Sequence, residues 1–170
     1  MKKTKKIAVL GLLTAIALTI FMIEAQIPPV IPIPGVKLGL SNIVTVFTVF
    51  TMGPAAGAAV LACRVFLGAV FAGNFSTILY SAAGGFLAIL VTIGLRKVLK
   101  ENQLWAAGCL GAIAHSIGQM LVAIAVTRTL GLLMYLPVMI VISIFTGFFT
   151  GLCAQYLVKR GGTLWKTIFK

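Results

Sequence analysis

The sequence predicts an all-α, polytopic membrane protein, a bundle of six helices with both termini in the cytoplasm. Three observations predict it. Of 170 residues, 61% are hydrophobic and 9% are charged, whereas a soluble globular chain carries roughly 25% charged residues. Proline, glycine and charge interrupt the apolar sequence at intervals close to the ~20 residues that a helix needs to cross a hydrocarbon core ~30 Å thick. The cations cluster as well. Of the 14 lysines and arginines, all but three fall in Lys2, Lys3, Lys5 and Lys6; in Arg96, Lys97 and Lys100; or in Lys159, Arg160, Lys166 and Lys170. Following the crossings from a cytoplasmic amino terminus brings all three groups to one side, as the positive-inside bias requires. A net charge of +12 would suggest nucleic acid as the partner of a soluble chain. Here its placement points to membrane lipid, and no nucleic acid partner is expected.

The length leaves room for one transmembrane domain over residues 1–170. The first span is expected at about 8–26. Its start, MKKTKKIAVLGLLTAIALTIF, has the basic and apolar regions of a signal peptide but no small-x-small cleavage site before Ile23 to Gln26, which favours a retained span. Spans follow at 38–52, 54–72, 76–99, 105–127 and 132–158. The second is short, and the Met52-Gly53-Pro54 break after it suits a tilted or partly re-entrant segment. The basic, aromatic tail 159–170 suits an interfacial segment on the inner leaflet. A bacterial cytoplasmic membrane is the expected location.

Small residues recur at helix-packing spacing. Gly11, Ala15 and Thr19 lie four apart in the first span, Ala55, Ala59 and Cys63 in the third, and Gly147 and Gly151 form a GxxxG in the last. Small residues let helix backbones approach closely in lipid. Two uses stand open, packing inside the bundle and docking of a partner membrane protein. Cys63, Cys109 and Cys153 have no CxxC or Cys/His spacing, so they read as packing residues. No metal or cofactor is expected.

Three cations remain after topology is satisfied. Lys37 and Arg128 fall at outer helix ends, and Arg64 lies ~15 Å into the third span at 1.5 Å rise per residue. A charge near the midplane costs at least ~2.5 kcal/mol unless it faces the interior and finds a partner. The chain has two acids. Glu101 falls in a cytoplasmic loop, leaving Glu24 as the carboxylate near the outer half. Either Glu24 pairs internally with Arg64 or Lys37, or a bound anion resolves the surplus positive charge. His115 and Gln119, four apart, share one helix face. With Asn42, Asn74 and Tyr80 they either line an outer pocket or bond between helices.

The stretch IEAQIPPVIPIPGVKLGLSNIV, residues 23–44, joins the first two spans. Pro28, Pro29, Pro32 and Pro34 cannot donate backbone hydrogen bonds, so the stretch is not lipid-exposed helix. Gly35 permits a tight approach, and Lys37 stands at the next helix start, where free N–H groups favour an anion. The elbow reads as a site or as a stiff connector.

IPPVIPIPGVKLGLSNIV at 27–44, CRVFLGAVF at 63–71, YSAAGGFLAILV at 80–91 and GAIAHSIGQMLVA at 111–123 together resemble a bacterial membrane family called heptaprenyl diphosphate synthase component I, or the Gx transporter family. The resemblance implies a six-helix fold similar to the substrate-binding S components of energy-coupling factor transporters. It implies a small-molecule ligand such as a vitamin, a flavin or a quinone or isoprenoid precursor. It also implies a transmembrane coupling protein and ATPases as partners, with Gly11, Ala15 and Thr19 resembling the coupling surface. The substrate-binding set expected on this reading is Glu24, Gly35, Lys37, Asn42, Arg64, Asn74, Tyr80, His115, Gln119 and Arg128. Prenyl elongation itself needs aspartate-rich magnesium sites, and magnesium requires hard oxygen ligands. This chain has no aspartate and no GxxxxGK[ST] P-loop. A catalytic prenyltransferase is therefore not expected, and an ATP-driven function would borrow its motor from another chain.

Overall fold

The computed structural model describes residues 3–27, 38–73 and 75–169, with Ser76 and residues 162–169 as backbone alone. Within them the protein is helical throughout: α1 (Lys3–Glu24), α2 (Asn42–Met52), α3 (Pro54–Ala72), α4 (Ser76–Arg96), α5 (Leu104–Thr127), a 3₁₀ helix (Leu130–Tyr135) and α6 (Leu136–Phe169). Five of these stretches are long and apolar enough to cross a membrane, the last counted from the 3₁₀ helix onward, and α2 is not. The chain is a multi-pass membrane protein.

The helix boundaries follow local chemistry. Gly53 adopts φ +100° between α2 and α3, and its N–H is shared by the Thr48 and Val49 carbonyls. Pro54 then opens α3 at a position where no N–H is needed. Gly73, left-handed at φ +61°, closes α3. Arg128 ends α5 in the same left-handed region, the one described residue other than glycine to do so. A side chain there carries strain that glycine does not. Pro137 lies just inside α6, and the apolar run expected from residue 132 begins as the 3₁₀ helix instead. At its far end α6 continues as helix to Phe169.

At 11 residues α2 is ~16 Å long, about half a crossing. It is buried from Val44 to Val49 and touches every other α-helix. Its Val44, Val46 and Phe47 join Leu13 and Ala17 of α1, Val60 of α3, Leu104 of α5, and Ala154 and Val158 of α6 in one apolar cluster. The short helix is the axle of the bundle.

The tightest packing joins α5 to α6. A Cβ on Gly147 would lie 2.6 Å from the Gly108 carbonyl oxygen, and one on Gly151 would lie 2.6 Å from that of Leu104. The GxxxG of α6 is thus consumed inside the bundle. Beside it, the Ser116 and Ser143 hydroxyls meet at 2.6 Å, and Ser143 also donates to the Met139 carbonyl. Gly11, Ala15 and Thr19 are exposed instead. A Cβ on Gly11 would meet nothing within 4 Å, and the Thr19 hydroxyl is satisfied by the Ala15 carbonyl of its own helix.

Candidate functional site

The start of α2 lies at mid-depth. Asn42 is ~16 Å along α2 from the Gly53 turn, Arg64 is ~15 Å along α3 from the same turn, and His115 is ~16 Å along α5 from its Leu104 end. Gly84 of α4 lies ~18 Å from Arg96, whose guanidinium is beside Gly53. Four helices therefore bring polar or small residues to one level.

Contacts bind them into a cluster. The Glu24 carboxylate, at the end of α1, accepts a hydrogen bond from the backbone N–H of Gly39 at 2.6 Å. Gly39 has φ +80°, and a Cβ there would lie 3.0 Å from Asn42 Nδ2 and 3.5 Å from His115 Cδ2. Asn42 Oδ1 accepts a long bond from Arg64 Nη2 at 3.4 Å. On the other side, a Cβ on Gly84 would lie 2.9 Å from His115 Nδ1 and Cε1. The His115 ring is thus housed between two glycines. The Arg64 guanidinium carbon lies 5.9 Å from the Phe21 ring centroid, within reach of cation–π attraction.

All of these groups are buried. Glu24 is 4% exposed, Asn42 8%, Arg64 3% and His115 3%. Yet among the described residues Glu24 Oε2, Asn42 Nδ2 and Arg64 Nε have no hydrogen-bond partner, and neither do the hydroxyls of Ser41 and Thr45. Elsewhere buried hydroxyls are satisfied along their own helix: Thr48 donates to Val44 O, Thr92 to Ala88 O and Thr150 to Gly147 O. Unmet polar atoms are costly in a low-dielectric interior; Gln155 Oε1 of α6 is another.

The structure brings together Glu24, Asn42, Arg64 and His115 from the expected set. Gln119, fully buried, lies one turn farther along α5. Tyr80 packs with Met120, Ala123 and Met139 in an apolar cluster. Arg128 is exposed at the end of α5, ~20 Å along the helix from His115. Gly35, Lys37 and Asn74 lie outside the described residues, as do the four prolines of the elbow. Sequence reasoning missed Gly39, Gly84, Phe21, Ser41 and Thr45. The Gly84-Gly85 pair inside a helical apolar run was the available signal, since such a pair implies close approach.

On the outer face of α3 and α4, an open apolar groove of about 510 Å³ is lined by Ala58, Leu61, Val65 and Phe86 among others, with Ala58 and Phe86 exposed. Arg64 stands between Leu61 and Val65 in sequence but turns to the polar side. Leu61 also packs on Gly85, where a Cβ would lie 2.8 Å from its Cδ1. Among the described residues, no three His, Cys, Asp or Glu side chains assemble as metal ligands.

A family model described as heptaprenyl diphosphate synthase component I matches residues 13–157, most of the chain. No curated protein and no solved structure matches it.

Proposed function

The chain belongs to the heptaprenyl diphosphate synthase component I family, and from that premise we propose that it is a membrane-embedded substrate-binding subunit for a small organic molecule. The ligand's polar end is held at Glu24, Asn42, Arg64 and His115. One observation carries this reading: Arg64 is buried at mid-depth with Nε unpartnered, among other unpartnered polar atoms. A charge in the membrane interior is expensive, and such residues mark substrate pathways. Such a ligand is anionic or amphipathic, its polar end met by the cluster and its remaining surface by apolar side chains of the bundle.

The remaining expected residues belong to the proposal in supporting roles. Gln119 stands one turn farther out along α5, and Gly35, Lys37, Asn74, Tyr80 and Arg128 remain candidates for further contacts with the ligand. The outward stripe Gly11, Ala15 and Thr19 is the surface offered to a coupling membrane protein, with ATPases supplying the motor this chain lacks. The expected setting is the cytoplasmic membrane of a bacterium.

The test is native mass spectrometry and thermal-shift screening of the purified protein with flavins, other vitamins, quinone precursors and prenyl diphosphates. A ligand that stabilises the wild type and not Arg64→Ala supports the reading. The family description favours a second one, a non-catalytic accessory membrane subunit of isoprenoid or quinone synthesis or of a flavin-based electron-transfer system. Stoichiometric co-purification with a prenyltransferase, without small-molecule binding, would select that alternative.

A further inference from the structure

The outward groove on α3 and α4 has a charged end. The residues that line it, between Ala58 and Val65 on α3 and between Ala82 and Ile89 on α4, are all apolar. Each stretch is about 10 Å long, and Ala58, Ala62, Ala82 and Phe86 are exposed. Helix periodicity carries the α4 wall on to two cations. Arg96 is seven residues beyond Ile89, close to two turns, and Lys97 is eleven beyond Phe86, close to three. Lys97 caps α4 and keeps right-handed helical φ and ψ, so the rotation holds to that residue. Each cation therefore follows one groove residue along the same face. Both are exposed. The Arg96 guanidinium also reaches across to Gly53 at the start of α3, where a Cβ would lie 3.6 Å from Nη1.

The spacing matches the depth of one leaflet. Ile89 and Phe86 lie ~10 and ~15 Å from Arg96 along α4, within the ~15 Å that one leaflet's chains fill, half of a ~30 Å core. Filling such a groove inside a bilayer expels no water and gains only close packing, which any alkyl chain supplies. The cations are what select. A guanidinium and an ammonium at the interface attract an anionic headgroup, and from 96 to 101 Arg96, Lys97 and Lys100 outweigh the one acid, Glu101. A second helix would gain nothing from them. It would dock through close backbone approach and interhelical hydrogen bonds, and the lining side chains carry no hydrogen-bonding group.

We propose that this face holds an anionic phospholipid of the leaflet at the Arg96 end, the cytoplasmic one by the positive-inside bias. Its phosphate lies at Arg96 and Lys97, and one acyl chain lies in the groove between α3 and α4. The inference is independent of what binds at Arg64. It also separates these two cations from the rest, since for topology one cytoplasmic cation serves as well as another.

The test places the full chain in nanodiscs of equimolar phosphatidylglycerol and phosphatidylcholine with matched acyl chains, and native mass spectrometry reads the lipid that stays bound on release. The wild type is expected to keep phosphatidylglycerol in preference to phosphatidylcholine by about tenfold or more, the scale of two cations at one headgroup. Arg96→Gln with Lys97→Gln should abolish the preference. Lys159→Gln with Arg160→Gln removes the same charge from α6 and should leave it intact. Ala62→Trp fills the groove from an exposed position and should reduce retention of both lipids while the cations remain. A wild type without the preference overturns the proposal. Equal losses in the two charge variants would do so as well, by showing general attraction to a basic surface. Retention that Ala62→Trp leaves unchanged would remove the groove from the site, and a dimer mass that Ala62→Trp dissociates would give the groove to a second copy of the chain.

Discussion

Glu24 accepts a hydrogen bond from the Gly39 backbone N–H at 2.6 Å, 15 residues away in the chain. The bond ties the end of α1 to the turn that starts α2, and the charge of the same carboxylate acts on Arg64. These roles separate by substitution. Glu24→Gln keeps an acceptor for Gly39 and loses the charge, whereas Glu24→Ala loses both. A buried N–H left unmet costs about 1–3 kcal/mol, so the alanine variant should be less stable than the glutamine variant by that amount. Thermal unfolding of both in one detergent measures the difference. Equal midpoints would mean that water or another group replaces the carboxylate at Gly39.

Much of this was legible in the sequence because lipid imposes simple rules. Hydropathy and the Gly53-Pro54 break located α2 and α3, and the depth of Arg64 followed from helix rise alone. The tertiary partner of Glu24 was not legible. Of its two candidate cations Lys37 lies outside the described residues and Arg64 acts on it through charge, while its hydrogen bond comes from a main-chain N–H, which every residue but proline carries and no composition reveals. The glycine pockets around His115 were hidden for a related reason. A glycine in a membrane helix reads equally as packing or as space, and only the fold shows that Gly84 faces an imidazole while Gly11 faces outward. Arg128, grouped with the mouth because of its charge, ends α5 exposed and left-handed.

The contrast among glycines is itself testable. A Cβ on Gly147 would lie 2.6 Å from a backbone oxygen of α5, and one on Gly118 would lie 2.7 Å from the Ala83 carbonyl oxygen. Backbone cannot move aside as a side-chain tip can. Gly147→Ala and Gly118→Ala should each destabilise by about 1–3 kcal/mol, the usual range for overpacking. Gly11→Ala, with open space around it, should leave the unfolding midpoint unchanged or slightly raised, since alanine is the better helix former. Equal effects at the three positions would count against the α5–α6 and α4–α5 contacts.

Topology can be read chemically. By the positive-inside bias the Arg96 to Lys100 group and the basic ends are expected on the cytoplasmic side and Thr129 on the other. In a background with Cys63, Cys109 and Cys153 changed to alanine, Thr129→Cys in intact cells should react with a membrane-impermeant maleimide. Glu101→Cys should react only after the cells are opened. The reverse pattern would invert the orientation and turn the Arg64 cluster's nearer mouth inward.

Arg64 and Glu24 should be coupled in stability, and the coupling has a distinctive sign. Removing one member of a buried charged pair leaves the other uncompensated, at a cost of about 3–5 kcal/mol, while replacing both with neutral groups of similar size is often neutral or stabilising. Arg64→Met strands the Glu24 carboxylate, which is 4% exposed and already has one oxygen without a partner. The single variant should therefore unfold well below the wild type. Glu24→Gln with Arg64→Met removes both charges and keeps the acceptor for Gly39, so the double variant should recover most of the lost midpoint. It should still fail to respond to any ligand that stabilises the wild type, because the donors that would hold it are gone. Additive losses in the double-mutant cycle would show that the two charges do not sense each other.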